Sequence, residues 1–592
     1  MPKLDYDGEK FEIYVDYSRK NHALLSKNIG KCYKRRSKGC WSVPDNYWTL
    51  VKLNEYYDLE PTDEADARMQ EYRDKFNYIF KELMPKLRKV KNLPAEEFNL
   101  KDFTPGGKYE LYDHQKKMLW AASNFLKLDC GFAFLTDTGT GKSAATAATI
   151  EYLLQTGEIE SCLIVTPAGL KYNMAQELET HSNVDYNLLV DYAKDQRKGK
   201  IGRRWRWTKS GVAIDRYIDG YTDYLDNETD APIQIVNYNC VALETDRFRS
   251  YDLLVGDEWH KLRRRTSNRS KAFMKLSKDI SKILGATATP VCKDYRDIWS
   301  QFQIIDDDLF PNRFQTFRDK IAYTFEMDIG NNRTKTEVSD WKPDGVEWMG
   351  KKINQRSIKY DLDECVDMPD LIDKEHVVSM PSELKKLYKE LCDKMVLEFG
   401  SMGDPDYSYL DATNSLTVVT YERQLSSGVI KIDDEWRLLE DFKVQAAKDI
   451  INDEFNGEQC IIWYKHRGLL SILKEELEDY QVINGDASDV EKAKIIKGFN
   501  NEAFRFIIAS VDCTEGWNAQ DKCRYSIFLE NPYTWEKKKQ AIGRLYRNGQ
   551  DNKVVYYDIV SKGSLDRRIL RGLKEGKHLS EELLYETYFK KG

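Results

Sequence analysis

The chain of 592 residues contains no apolar run long enough to span a bilayer, which excludes an integral membrane helix. Its opening, Met1-Pro2-Lys3-Leu4-Asp5, lacks the apolar core of a secretion signal, so a cytoplasmic setting without membrane partners is expected. The 11 cysteines are scattered singly, and none of Cys32, Cys40, Cys130 or Cys513 has the paired spacing of a zinc site. Reduced thiols are therefore the expectation. No repeat of solenoid period and no low-complexity tract occurs. A net charge of −7 excludes a uniformly basic nucleic-acid binder, so any DNA contact must be a local basic groove on an acidic body. No nuclease, methyltransferase, bromodomain-like or zinc module can be read from the sequence, which leaves a chromatin role without support.

What the chain does have is bulk and patterning. Hydrophobic residues at 41% and charged residues at 32% describe a globular protein, and the length exceeds what one core can organise. From about Leu111 to Phe302, apolar strand-like runs alternate with amphipathic helices, as in a parallel α/β sheet. The pattern returns from Val444, with strands expected at Cys460–Tyr464, Phe504–Ala509 and Val554–Ile559. The predicted organisation is a small α+β unit (residues 1–60), a helical linker (61–108), a first α/β lobe (109–305), an insertion or bridge (306–372) and a second α/β lobe (373–592). Residues 373–440 are expected to form a helical protrusion on that second lobe.

Thr136-Asp137-Thr138-Gly139-Thr140-Gly141-Lys142-Ser143 follows the apolar run Phe132–Leu135 and precedes the helix-forming segment Ala144–Leu154. Strand, glycine loop and helix in that order make a phosphate cradle. Gly139 and Gly141 let backbone N–H groups turn towards phosphates, with Thr138 and Thr140 between and before them, and the helix N-terminus adds its positive end. Lys142 is placed to reach the β- and γ-phosphates of ATP, and the Ser143 hydroxyl to hold Mg²⁺. Thr136 stands where such loops usually begin with glycine.

Asp257-Glu258-Trp259-His260 follows another buried-strand signature, Tyr251–Val255. At a strand's C-terminal end, Asp257 can bind the Mg²⁺ and Glu258 can polarise an attacking water. His260 suits either a coupling role or simple packing. Gln115, in Tyr112-Asp113-His114-Gln115, carries an amide able to pair donor and acceptor with adenine. Gly285-Ala286-Thr287-Ala288-Thr289-Pro290 suits a relay from the γ-phosphate pocket or a tight strand-ending turn equally well. In the second α/β region, Gln540 to Gln550 places Arg544 and Arg547 three residues apart, on one face if helical. Delivered across a cleft to the phosphates, they would act as arginine fingers.

The order of these motifs resembles superfamily-two helicases, and most closely the Swi/Snf-type branch of double-stranded DNA translocases. Tyr112–Gln115, the phosphate loop, Val165-Thr166-Pro167, Ile235–Tyr238, Asp257–His260 and Gly285–Pro290 resemble that family's first lobe. Ser510–Asn518, Asn531-Pro532, Ile483–Asp486 leading to Phe499-Asn500, and Arg544–Gln550 resemble its second. The resemblance implies two RecA-like lobes in series and an ATPase that tracks along double-stranded DNA. It places Gly516 in the nucleotide pocket with Arg544 and Arg547, and Thr166 and Asn237 on the DNA. Three positions depart from the family: Trp259 replaces an alanine, Lys492 an arginine, and Thr514-Glu515-Gly516 a double glycine.

The segment Gly8–Tyr57 resembles the HARP-type domain of annealing helicases and phage branch-migration helicases. Its Lys31, Lys34, Arg35, Arg36 and Lys38, next to Trp41, form a basic hairpin suited to a phosphate backbone or an unpaired base. The competing expectation is a solvated hairpin with Trp41 in a small core. A second basic run, Lys194 to Arg206 with Trp205 and Trp207, suits a DNA-facing arm or a charged surface loop. The task expected is remodelling of forked or branched DNA by annealing, fork regression or branch migration. The alternative is displacement or recycling of a DNA-bound protein such as RNA polymerase. A monomer is expected, with a single-strand-binding protein or a polymerase as further partners. A compact motor without targeting tails suits a phage or bacterial source.

Overall fold

The computed structural model describes residues 2–575 apart from 9, 16–17, 19–20, 22–24, 26–32, 36–37, 44, 46, 102, 189–230, 292–294, 329–333, 400–407, 412–414 and 488. Two all-parallel sheets organise the described chain, one in each lobe. In lobe 1 the strand order across the sheet is Ser357–Ile358, Phe132–Phe134, Lys282–Ala286, Leu253–Asp257, Cys162–Thr166, Ile233–Asn237 and Tyr186–Leu188. The central strands are apolar on both faces because helices cover both. One face packs under Phe125, Ile150 and Leu153, the other under Phe273, Ile298 and Phe302.

Lobe 2 repeats the plan in the order Leu371–Val378, Val554–Ser561, Tyr525–Phe528, Cys460–Tyr464, Phe506–Ser510 and Tyr480–Ile483. The two RecA-like lobes are thus those anticipated from the alternating pattern. Parallel strands end on the same side of a sheet, so the loops after Phe134, Asp257 and Ala286 converge at one edge.

Some segments depart from the sequence expectation. Ser357–Ile358, in the supposed bridge, joins the edge of the lobe-1 sheet by pairing with Ala133 and Phe134. The stretch 373–440 is only partly helical. It begins inside Leu371–Val378, a strand paired along its length with Val554–Ser561, and then carries the helices Ser382–Lys394 and Ser415–Ser426 and short hairpins. The run Leu371–Val378 has mostly exposed side chains, so it has no apolar stripe from which a strand could be recognised.

The N-terminal unit is a five-stranded sheet whose last strand is Glu60–Pro61, with helix Asp63–Asn77 packed on it through Ala65 and Met69. That helix starts at Thr62, whose hydroxyl accepts from Ala65 N, and passes without a break into a π-helical turn, Tyr78–Leu83. No described helix is long and apolar enough to cross a membrane.

Candidate functional site: a phosphate loop closed by the second lobe

The loop Thr136–Gly141 leaves strand Phe132–Phe134 and enters helix Lys142–Gln155. Gly139 and Gly141 hold φ of +88° and +78°, a left-handed backbone that a side chain at either position would strain. Thr140 Oγ donates to Thr136 Oγ at 2.9 Å and ties the loop across its base. The threonine in place of the usual first glycine therefore has a structural use. Lys142 Nζ donates to the Thr136 and Asp137 carbonyls at 2.7 and 2.8 Å, which folds the ammonium back over the loop. Burial pushes this ammonium below its usual range, against the pull of Glu258 and Asp257.

Asp257 and Glu258 end strand Leu253–Asp257 beside Lys142. Burial, and then the adjacent Glu258 charge, push the Asp257 carboxyl up to about 7. Burial also opposes ionisation of Glu258, but the hydrogen bond and charge of His260 overcome it and hold that carboxyl low. Glu258 itself sits at φ 53°, ψ 52°, a left-handed conformation rare outside glycine.

His260 is fully buried. Its Nδ1 lies 3.1 Å from Glu258 Oε2 and 3.0 Å from Thr287 Oγ, and its Nε2 lies 2.9 Å from Glu536 Oε1 of lobe 2. Despite burial, these carboxylates push the imidazole up to about 9, so it is an imidazolium at neutral pH. Of the two roles open to His260, coupling is the one its contacts match. Thr287 belongs to the Gly285–Pro290 stretch, which this ring ties to Glu258.

Trp259, an outlier among the family's alanines, fits because its neighbours are glycines. A Cβ on Gly256 would lie 2.3 Å from the indole, and one on Gly285 2.8 Å. The indole Nε1 donates to Gln301 O at 3.1 Å.

Lobe 2 closes over this edge. Arg544 and Arg547 both donate to Asn518 Oδ1, and Arg544 also donates to the Trp517 carbonyl. Burial, and then the neighbouring Arg547 charge, push Arg544 down to about 10. The Arg547 backbone lies against the phosphate loop, where a Cβ on Gly139 would come within 2.9 Å of Arg547 Cβ. Arg547 Nε is buried without a hydrogen-bond partner, an orphan donor at the loop that an anionic ligand would satisfy. Thr138 meets lobe 2 at Gly543, where a Cβ would lie 2.8 Å from Thr138 Oγ. The half-buried Asp257 carboxylate likewise suits a divalent cation, with Ser143 at the start of helix Lys142–Gln155 as a further oxygen donor.

Other expected positions lie differently. The Gln115 amide is spent beneath the loop, with Oε1 accepting from Tyr112 N at 3.0 Å and Nε2 donating to Thr140 O at 3.3 Å. In this arrangement one hydrogen bond from each end of the amide supports the loop. Gly516 faces the Ala168–Leu170 turn of lobe 1 rather than the phosphate loop. Its carbonyl accepts from Asn173 Nδ2 at 3.1 Å, and a Cβ would lie 3.0 Å from Gly169 O.

Thr166 is buried and its hydroxyl donates to Pro167 O. Asn237 Oδ1 accepts from Asn239 N and Cys240 N, capping helix Tyr238–Leu243. Both side chains serve their own backbone. Trp41 is only 3% exposed in the core of the N-terminal sheet, which removes the indole from stacking on a base. Arg35 and Lys38 point at the buried Glu12 carboxylate, at 2.8 and 3.0 Å. The side chain of Lys34, together with Lys31, Arg36 and the whole 194–207 run, lies outside the described residues.

The sequence reading missed a set of residues that join the lobes. Asp137 pairs with Lys539, Lys261 with Glu515 at 2.8 Å, and His260 and Arg263 with Glu536. Asn548 Nδ2 reaches Tyr112 Oη at 3.3 Å. Glu536 and Lys539 lie on helix Trp535–Ile542, which ends before Arg544 and Arg547, so the two arginines stand in the turn after it and not on one helical face as expected.

The architecture is that of a two-lobed P-loop ATPase. The SNF2-related domain family matches residues 113–427, more than half of the chain, and the helicase conserved C-terminal domain matches residues 442–549. The chain belongs to the SNF2-related family. It is 22% identical over 569 residues to the uncharacterized ATP-dependent helicase YqhH of Bacillus subtilis, covering 90% of this chain and 89% of that one. To the putative ATP-dependent helicase/translocase YwqA of the same organism it is 19% identical, covering 85% of this chain and 51% of that one. It thus spans nearly all of the first relative and about half of the second. A RAD54-like DNA repair and recombination protein of Gallus gallus is 20% identical, with 81% of this chain and 69% of that protein covered. Among solved structures, the Sulfolobus solfataricus SWI2/SNF2 ATPase core in complex with dsDNA aligns at TM-score 0.36 and 17% identity, over 83% of this chain and 96% of that one.

Proposed function

We propose that the protein is an ATP-driven motor that tracks along double-stranded DNA and remodels forked or branched duplexes. The observation that carries the motor reading is the composite site. The phosphate loop and Asp257–Glu258 come from one lobe, while Arg544 and Arg547 come from the other, with Arg547 pressed on Gly139. A site divided in this way is complete only when the lobes close, which ties the state of the nucleotide to lobe movement. Lys142 and the loop amides hold the phosphates, Glu258 orients the attacking water, and Arg544 and Arg547 meet the charge that develops on the transferred phosphoryl group. Ser143 and Asp257 hold Mg²⁺, which when bound neutralises phosphate charge.

Relatives named for helicase, translocase and DNA repair activities support DNA as the track. The sequence resemblance of Gly8–Tyr57 to the HARP-type domain of annealing helicases is what points to branched substrates. The test is ATP turnover with single-stranded, linear duplex, forked and four-way DNA. Stimulation by forks above linear duplex supports the branched-DNA reading. Equal stimulation, with co-purification of a polymerase, replaces it with displacement of bound protein.

A further inference from the structure

Helix Trp535–Ile542 carries the connection between the lobes. Thr534 Oγ accepts from Lys537 N at 3.3 Å and starts it, and Lys538, Ala541 and Ile542 bury one face in lobe 2. Glu536, Lys539 and Gly543, spaced by three and four, form the opposite stripe. Every member of that stripe meets lobe 1: Glu536 at His260, Lys539 at Asp137, and Gly543 at Thr138.

The first of these contacts has a chemical consequence. His260 holds Glu536 on one nitrogen and Glu258 on the other, so one buried ring spans from lobe 2 to the acidic pair. An imidazole set between carboxylates on both ring nitrogens is held in place by two charge contacts, and losing one frees it to move about the other. Glu258 depends on that anchor more than an ordinary carboxylate does, because its backbone is held left-handed, a conformation that persists only where surrounding contacts impose it.

We infer that Glu536 is a positioning residue for ATP hydrolysis: through His260 it orients the Glu258 carboxylate, and only when the lobes are closed. Arg263, 3.5 Å from Glu536 Oε2, steadies the same carboxylate from lobe 1. Separation of the lobes withdraws Glu536 and leaves Glu258 without its fixed support, so water activation is confined to the closed state. This rests on the reading of Glu258 as the water-orienting group.

The experiment is steady-state ATP turnover by the full chain with saturating duplex DNA, on Glu536→Gln, Glu536→Ala, His260→Ala and the Glu536→Ala/His260→Ala double variant. For Glu536→Ala we expect kcat to fall about tenfold or more with KM for ATP within roughly twofold, because the lost contact acts on the reaction and not on binding. Glu536→Gln, which keeps shape and one acceptor, should fall less. The double variant should be no slower than the slower single variant, since both act through one chain of contacts. Unchanged kcat in folded Glu536→Ala, or effects that multiply in the double variant, would overturn the inference. Should Glu536→Ala melt out, Glu536→Gln decides alone by the same kcat-against-KM comparison. Failure of the underlying reading looks different: Glu258→Gln would keep full turnover, or the unmodified chain would show none.

Discussion

Lys539, on the helix that leads into the arginine pair, lies 2.5 Å from Asp137 Oδ1 in the phosphate loop, 402 positions earlier in the chain. The second Asp137 oxygen accepts from Leu362 N at 3.4 Å, so the carboxylate is held from both sides. The pair is part-exposed, and contacts of this kind contribute about 1 kcal/mol or less. Lys539→Ala should therefore raise KM for ATP by roughly two- to fivefold and soften its salt dependence, since the closed state is what it favours. Steady-state kinetics at low and moderate salt would check this, and an unchanged KM at both would remove the pair from closure.

Lys142→Ala should abolish DNA-stimulated turnover and weaken nucleotide binding, by removing the charge nearest the phosphates. Glu258→Gln should also abolish turnover while keeping ATP binding, because Ser143 and Asp257 remain. Fluorescent-nucleotide titration beside a phosphate-release assay separates the two. Turnover surviving in Glu258→Gln would exclude it from the chemistry.

Arg544→Ala and Arg547→Ala should cut kcat by about 10³-fold with only modest change in ATP affinity, as expected for groups that meet developing charge. Arg544 also braces the Trp517 carbonyl, so its loss should lower the thermal midpoint as well. Arg547→Ala should be nearly silent in stability. A differential-scanning melt of each variant checks this division of labour.

The His260 imidazole gives lobe docking a pH dependence. Glu258, Glu536 and the Thr287 hydroxyl surround it, and its folded value is raised from 6.5 to about 9. A raised value means the stabilisation is fully present below pH 6.5 and is lost as pH climbs through about 9. Thermal midpoints measured from pH 6 to 9.5 should fall across that window in the unmodified chain. His260→Gln should flatten this part of the curve, and an identical slope in both would show that the ring does not titrate there.

Trp41→Ala should cost about 3–5 kcal/mol of stability in the N-terminal sheet, the usual cost of emptying a buried aromatic site. Phe11, Ile13 and Val43 share that core. Charge reversal at Arg35 should instead set a like charge beside the Glu12 carboxylate and leave it Lys38 as counter-charge, so its effect should appear in stability as well as in any DNA affinity. Limited proteolysis of the N-terminal segment, beside DNA titrations over a salt series, distinguishes the two. Weakened DNA binding with intact protease resistance would restore the hairpin as a direct phosphate contact.

The sequence by itself determined the two alternating α/β lobes, the phosphate loop, the Asp257–Glu258 strand end and the arginine pair. Each is a short stretch whose chemistry depends on residues adjacent in the chain; the phosphate loop and the acidic pair sit where a strand ends, and the arginine pair where a helix does. Only the tertiary structure decided which charges meet. With 98 acidic and 91 basic side chains, nothing in their order singles out Glu536 for His260 or Lys539 for Asp137. The stripe that joins them exists only because one face of their helix is buried in lobe 2 and the other is turned to lobe 1. Burial was equally out of reach for single side chains. Trp41 beside a basic hairpin suits DNA or a core equally well from sequence, and the choice fell to packing, because the sheet leaves its indole 3% exposed. Thr166 and Asn237 sit in motif positions that suggest DNA, yet their hydrogen-bonding capacity goes to Pro167, Asn239 and Cys240, partners fixed by where a strand stops and a helix begins.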